Sequence, residues 1–449
     1  IVERLLLDGA NPDSEGEGGV TPLLLSSLAG HVETARVLLR ASAQVDKTTT
    51  GGTTPLHTAI ASEHHDVALL LLGEDAEVEA GPVGAALQSL TTAASLGWTD
   101  IVETMLARFD SSIPSSELQR RHEAAMGAVI QAAVQDKITQ VAAVGVVDAL
   151  VRAGCDANPS MLAWDGTTTS PLVLSVLHAK LFVLEALLSE GVSPDDPVQD
   201  WAPLHAVAAA KSTQPLVQSA VRRLVAFGGT VDVHGPGGVT PAMLAAERGN
   251  TQTLRLLLHL GGNPNARADP DIVTLNDTSI SEDTEGQFHT GGVTPLCLAA
   301  ARGHLDATSL LLAHQADVNG PGGGGYPPLS HAAAGGHKEV VRALLRAGAD
   351  VEGDGNGVDV LTPLTLAVSL QHHDTAALLV AAGASVHRRK ERCEWSPLLL
   401  SLRQGGAESH LFRALLSSGF LNRKSKTGRR RRSKAGARYA TGTGSATSL

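Results

Sequence analysis

Aromatic side chains are scarce, with Phe, Trp and Tyr making up only 3% of the 449 residues. Sheet-based sandwiches lean on large rings and β-branched side chains. Here Ala, Leu and Val must build the core, which suits closely approaching helices. Cysteine is nearly missing as well. Cys155, Cys297 and Cys393 are odd in number, far apart and without C-x-x-C spacing, which excludes a disulfide framework and a zinc ribbon and favours a reducing compartment. No apolar run approaches the roughly 18–20 residues of a membrane span, and no secretory signal opens the chain. The opening IVERLLLDGANPD reads as the back half of a unit, so a fragment is expected.

What the chain has instead is length, uneven charge and repetition. A chain of 449 residues exceeds one ordinary core and calls for several domains or a repeat array. Net charge is −11, but residues 422–449 hold nine Lys/Arg and no acid, so the remainder carries −20. GGVTPLCLAAARGH at 291–304 has near copies at Gly18 (GGVTPLLLSSLAGH) and Gly237 (GGVTPAMLAAERGN). Aligning on its proline gives Pro22, Pro55, Pro171, Pro203, Pro241, Pro295, Pro328, Pro363 and Pro397, and several spacings fall at 32–35 residues. A period of this length marks stacked supersecondary units.

One unit can be read residue by residue. Thr294 is placed to cap a helix, and Pro295 fits the first helical position, where an amide would be unpaired anyway. Leu296, Leu298, Ala299 and Ala300 supply an apolar face with small residues, and Gly303 can take the left-handed conformation that ends the helix. LDATSLLLA has the spacing of a second helix, and HQADVNGPGG turns away through Asp, Asn and Gly. Such a unit cannot cover its apolar faces alone, whereas stacked copies bury one another.

TPLHTAI (54–60), GHKEVVRALLRAGADVE (336–352) and GHLDATSLLLAHQADVN (303–319) resemble the ankyrin repeat, and the resemblance runs from Ile1 to about Leu421. It implies an all-α solenoid of stacked helix-turn-helix units with projecting finger loops. About twelve units are expected in an array over 1–421, with a truncated first unit at 1–13, degenerate units within 83–163 and an acidic insertion at 270–290. Helix layers roughly 8–10 Å apart would give the array a reach on the order of 100 Å. The stretch 83–163 lacks the threonine-proline phrase and is expected to stack with altered geometry, as a bend. Ser116 and Gln119 there have the spacing of a capping box. Glu63, Ala179, Lys211 and Gln371 stand where other units have the Gly303 glycine, and their turns are expected to differ, since a left-handed conformation costs such residues about 1–2 kcal/mol.

Chemistry-bearing residues follow repeat position. Of the 18 histidines, His31, His304 and His337 sit at the Gly-His junction, His57 and His205 two places after the proline. His64-His65-Asp66 and His372-His373-Asp374 begin at the junction slot, so both are read as architecture rather than metal ligands. Cys155 and Cys297 read as buried fillers and Cys393 as a surface thiol. The loop NGPGGGGY (319–326) lacks the Lys-Ser/Thr of a phosphate loop. No catalytic site, metal site or cofactor is expected.

Partner contacts are a different matter. Trp201, Tyr326 and Trp395 occupy the slot before the Thr-Pro pair, and Trp164 falls in a neighbouring finger. The resemblance places that slot near the concave face used for partners. With Glu247, Arg248 and Arg302 toward the ends of first helices, these are the candidate partner-binding residues. The tail NRKSKTGRRRRSKAGAR, with Arg429, Arg430, Arg431, Arg432 and Lys434, reads as a disordered localisation or nucleic-acid patch. Ser279 and Ser281 lie among acids in the insertion and are candidate phosphorylation sites.

The implied function is a non-enzymatic, monomeric scaffold or adaptor, intracellular and cytoplasmic, with nuclear entry through the tail. It would recognise a protein partner, basic or extended, along the concave face, and would touch nucleic acid through the tail alone. The alternative is the targeting arm of a larger enzyme or channel.

Overall fold

The computed structural model describes residues 1–80, 84–109, 114–162, 168–210, 215–269, 292–320, 322, 325–353, 361–387, 396–405, 412–413 and 415–416. Trp164, Lys211, the insertion with Ser279 and Ser281, Cys393, Trp395 and the basic tail lie outside them. Among the described residues the architecture is helical, with one short hairpin pairing Met161 with Thr169 and Leu162 with Thr168. The chain divides into two compact units, residues 1–206 with 214–230, and residues 207–213 with 231–449.

The threonine-proline phrase sets the register of each regular repeat. Pro22–Leu28, Pro55–Ala61, Pro171–Leu177, Pro295–Ala301 and Pro363–Ser369 are all seven-residue helices that start on the proline. The hydroxyls of Thr21, Thr54, Ser170, Thr240, Thr294 and Thr362 accept from the backbone N–H three residues on, at 3.1–3.4 Å. Each cap satisfies an amide that the first turn leaves unpaired. Second helices follow at nine residues, as in Val32–Arg40, Leu305–Ala313 and Lys338–Arg346. Within each unit first helices stack on first helices and second helices on second, giving two layers with the core between them. Ala299, Ala300, Leu296 and Leu311 are almost wholly buried in it.

The Gly-His junction couples neighbouring repeats. Nε2 of His64, His304, His337 and His372 lies 2.8–3.0 Å from a carbonyl near the end of the preceding first helix, those of Leu28, Glu247, Ala301 and Ala334. The same rings lie against the glycine of the preceding junction. A Cβ on Gly30 would stand 2.6 Å from the His64 ring, and one on Gly249 2.7 Å from the His304 ring. Both glycines are also left-handed, at φ +72° and +71°, so the glycine answers two demands at once.

Two expectations need correction. Glu63, Ala179 and Gln371 do not give different turns: they take φ 59°, 54° and 61°, the same left-handed conformation as the glycines. The turn is held by its hydrogen bonds, with Glu63 N donating to Ile60 O at 3.1 Å and His64 N to Ala59 O at 2.9 Å. Nor do Ser116 and Gln119 form a capping box. The helix Ser115–Val134 starts two residues earlier than such a box requires, with Pro114 at its cap position and no side-chain cap, while Gln119 donates to Glu123 at 2.9 Å.

The stretch without the phrase departs through length. Ala85–Leu96 runs twelve residues and Ser115–Val134 twenty, followed by Thr99–Arg108 and Gln140–Arg152. No threonine-proline phrase fixes the start at the regular register, and each first helix extends backward into what would otherwise be finger. Arg121, nearly buried, anchors the longer one through Glu79 and Glu117, with its guanidinium 5.4 Å from the centre of the Phe109 ring.

Candidate partner-binding face

Fingers are spliced to one another by acidic and amide side chains. Asp13 accepts from Gln44 N, Asp46 from Glu77 N and Asp195 from Thr230 N in the first unit, at 2.9–3.0 Å. Asp232 accepts from Asn263 N, Asn265 from Asp317 N, Asn319 from Asp350 N and Glu352 from Ser385 N in the second, at 2.7–2.8 Å. A carboxylate or amide oxygen in one loop thus fixes the backbone of the next, so the fingers are presented as an ordered row. This ladder is the physical meaning of the recurring Asp-Val-Asn pattern.

The aromatic candidates sit at finger bases. Trp201 exchanges two 3.0 Å backbone hydrogen bonds with Val198, and its half-buried ring meets His205 edge-on at 5.2 Å. Tyr326 is also half-buried, meets His331 edge-on at 6.4 Å, and its hydroxyl accepts from Leu361 N at 3.4 Å. Trp201 therefore packs on its own repeat, Tyr326 on its own repeat and the next, and both keep part of their surface in solvent. Glu247 is only 7% exposed and takes a 2.9 Å hydrogen bond from the Arg302 guanidinium, so these two candidates brace each other across adjacent repeats. Arg248 is exposed. Trp164 and Trp395 lie outside the described residues, as do Arg429, Arg430, Arg431, Arg432 and Lys434.

Titratable groups here are tuned toward inertness. Burial pushes the Cys155 thiol up to about 12 and the Cys297 thiol up to about 11, which keeps both protonated at neutral pH. Burial likewise lowers His57, His122 and His178 below the ordinary imidazole value, and takes His331 to about 4. His57 Nδ1 lies 2.8 Å from the Thr54 hydroxyl, an arrangement internal to one helix start. Among the described residues no group of three or more His, Cys, Asp or Glu is disposed to hold a metal, and no helix is long and apolar enough to cross a membrane.

One feature of the first-helix face was not legible in the sequence. A cavity of 290 Å³ opens between Pro55–Ala61 and Ala85–Leu96, lined by Leu28, His57, Ala61, Ala85, Gln88 and Thr92 among others. Its far wall is the additional length of Ala85–Leu96. The only sequence signal was the missing threonine-proline phrase before AALQSLTTAASL.

Comparison with known proteins agrees with the repeat geometry. Models of ankyrin repeats in three copies match residues 1–81, 172–268 and 271–355, and a single ankyrin repeat matches 361–391. The crystal structure of the human ASB11 ankyrin repeat domain is similar at 22% identity, covering 56% of this chain and 97% of that one, with a TM-score of 0.43. No curated protein matches. Ankyrin repeats are in general protein–protein interaction modules. With well over half of its residues matched by such models, and with the cap, junction and finger ladder recurring in order, the chain belongs to the ankyrin repeat family.

Proposed function

We propose that this chain is a non-enzymatic scaffold that takes a protein partner on the face made by its first helices and fingers. The observation carrying this reading is the finger ladder. Hydrogen bonds from loop to loop order a row of backbone and side chains before any partner arrives, and preorganisation reduces the ordering cost of binding. Trp201 and Tyr326, half-buried at finger bases, have the amphipathic character of binding anchors. Arg248 and the undescribed Trp164 and Trp395 belong to the same proposed face, whereas Glu247 and Arg302 would support it by bracing.

The charge of −20 outside the tail favours a basic partner and faster encounter. Burial of Cys155 and Cys297 as free thiols supports an intracellular setting. Within this reading the protein works as a monomer, and Arg429–Arg432 with Lys434 serve localisation or polyanion contact. The test is affinity capture by the full chain and by a Trp201→Ala/Trp395→Ala variant, compared by mass spectrometry. Partners held by wild type and lost by the variant support the reading. Identical capture by both would remove the aromatic slots from it.

A further inference from the structure

We propose that the cavity between Pro55–Ala61 and Ala85–Leu96 is a socket for one aliphatic side chain of an extended, lysine- or arginine-bearing segment of a protein partner; this rests on the partner-binding reading of the first-helix face. The socket exists because Ala85–Leu96 is twelve residues long where Pro55–Ala61 has seven. The added turns carry Ala85, Gln88 and Ser89 alongside His57, Thr58 and Ala61 of the regular repeat. A stack of regular repeats lacks this wall, so the site is specific to the irregular stretch.

Chemistry selects the occupant. Neither a carboxylate nor a lysine or arginine lines the cavity, and burial holds His57 toward its neutral form. A charged group entering would lose water without finding a counter-charge. Leu28, 53% exposed, and Ala61 and Ala85 offer apolar surface instead, while Thr53, Thr58, Ser62, Gln88, Ser89 and Thr92 bring uncharged polar groups to the lining. A volume of 290 Å³ lies just below the roughly 300–1,000 Å³ of drug-sized ligand sites, which suits one side chain.

The surroundings select the flanks. Loops 8–20, 41–54 and 74–80 hold nine carboxylates; Lys47 pairs with Glu15 at 2.8 Å, Arg108 with Asp75 and Arg121 with Glu79, and the other six stand outside these ion pairs. An extended segment advances about 3.3–3.6 Å per residue, so basic residues a few positions from the anchor reach these loops. The chain's own tail, 422–438, has the positive charge but no aliphatic side chain larger than alanine. It matches the rim and not the socket.

The test begins with random twelve-residue peptides displayed on phage and selected on the full chain. Enriched peptides are then labelled and titrated by fluorescence polarisation against wild type, Ala61→Trp, Leu28→Ser and Trp201→Ala/Tyr326→Ala. Ala61 is exposed, so the tryptophan fills the socket without entering the core. The expected result is a shared Leu, Ile, Val or Met beside Lys or Arg, with Kd raised about tenfold or more by Ala61→Trp and equally by aspartate at the peptide's aliphatic position. The peptide change gives the same reading independently of how any variant folds. Failure to enrich peptides, affinity for Ala61→Trp within about twofold of wild type, or equal binding of a peptide of residues 422–438 would overturn the socket. Peptides weakened by Trp201→Ala/Tyr326→Ala alone would sink the socket and leave the broader face standing. Peptides indifferent to every substitution would sink both.

Discussion

The repeats spanning 240–320 and the stretch 84–158 solve the same packing problem in opposite ways. In the first, Thr240-Pro241 and Thr294-Pro295 begin first helices of eight and seven residues, and His304 locks onto Gly249 and the Glu247 carbonyl. In the second, the helices Ala85–Leu96 and Ser115–Val134 begin without any side-chain cap, and Trp98 stands where the junction histidine would be. The coupling there is made by side-chain packing and by the Arg121 ion pairs. In regular repeats the recurring phrases thus fix register, while the irregular ones are free to vary length, and the cavity is a product of that freedom.

The sharpest way to break this contrast is at the junction glycine. Gly249→Ala places a Cβ in the left-handed region and 2.7 Å from the His304 ring. A loss of at least about 2 kcal/mol in urea unfolding is expected, from roughly 1–2 kcal/mol of backbone strain plus the displaced ring. Glu63→Gly, relieving the same backbone conformation next to a repeat without the junction histidine, should change stability by no more than about 1 kcal/mol, in the stabilising direction. Ala299→Leu should overpack the wholly buried first-helix interface by about 1–3 kcal/mol, read as a lowered melting temperature. An unchanged melt would contradict close helix approach.

Cap removal sharpens the comparison further. Thr294→Ala removes the 3.3 Å hydrogen bond to Cys297 N and should lower stability by about 1 kcal/mol, while Ser116→Ala should leave unfolding unaltered. Equal losses at both positions would erase the distinction.

The smallest effect concerns His65, where the irregular stretch joins its regular neighbour. Its Nε2 lies 3.0 Å from Asp100, its Nδ1 3.3 Å from Asp66, and Trp98 meets the ring edge-on at 5.1 Å. Burial pulls its pKa down, but the hydrogen bonds to Asp100 and Asp66 outweigh this and hold it above the ordinary value. A raised folded pKa contributes stability fully present below the unfolded value, about 6.5, and lost as pH rises through the folded one. His65→Gln should therefore narrow the urea midpoint gap to wild type on going from pH 5.5 to pH 8. A pH-independent gap would mean the imidazolium is not engaged.

Much of the regular fold was readable because each step has a local cause. The threonine cap, the proline at the first helical position and the glycine at the junction each act within a few residues, and all three sit where the sequence placed them. The turns at Glu63, Ala179 and Gln371 were misread because strain was weighed against nothing, whereas the surrounding hydrogen bonds fix the turn whatever residue occupies it. The Ser116–Gln119 pair was misread for the opposite reason: a matching spacing says nothing about where the helix starts, and Pro114 sets that two residues earlier. Glu247 and Arg302 were read as partner contacts and not as a pair because they are 55 residues apart in sequence, and only stacking brings them to 2.9 Å. The cavity was invisible since it depends on the length of a helix whose start no phrase marks.

Recognition concentrated where the array is irregular is the claim that most needs a direct trial. Hydrogen–deuterium exchange of the full chain with and without a selected peptide would supply it. Slowed exchange at residues 53–62 and 84–96, with 292–301 unchanged, is the predicted pattern. Protection confined to 292–334, or spread evenly over every first helix, would contradict it.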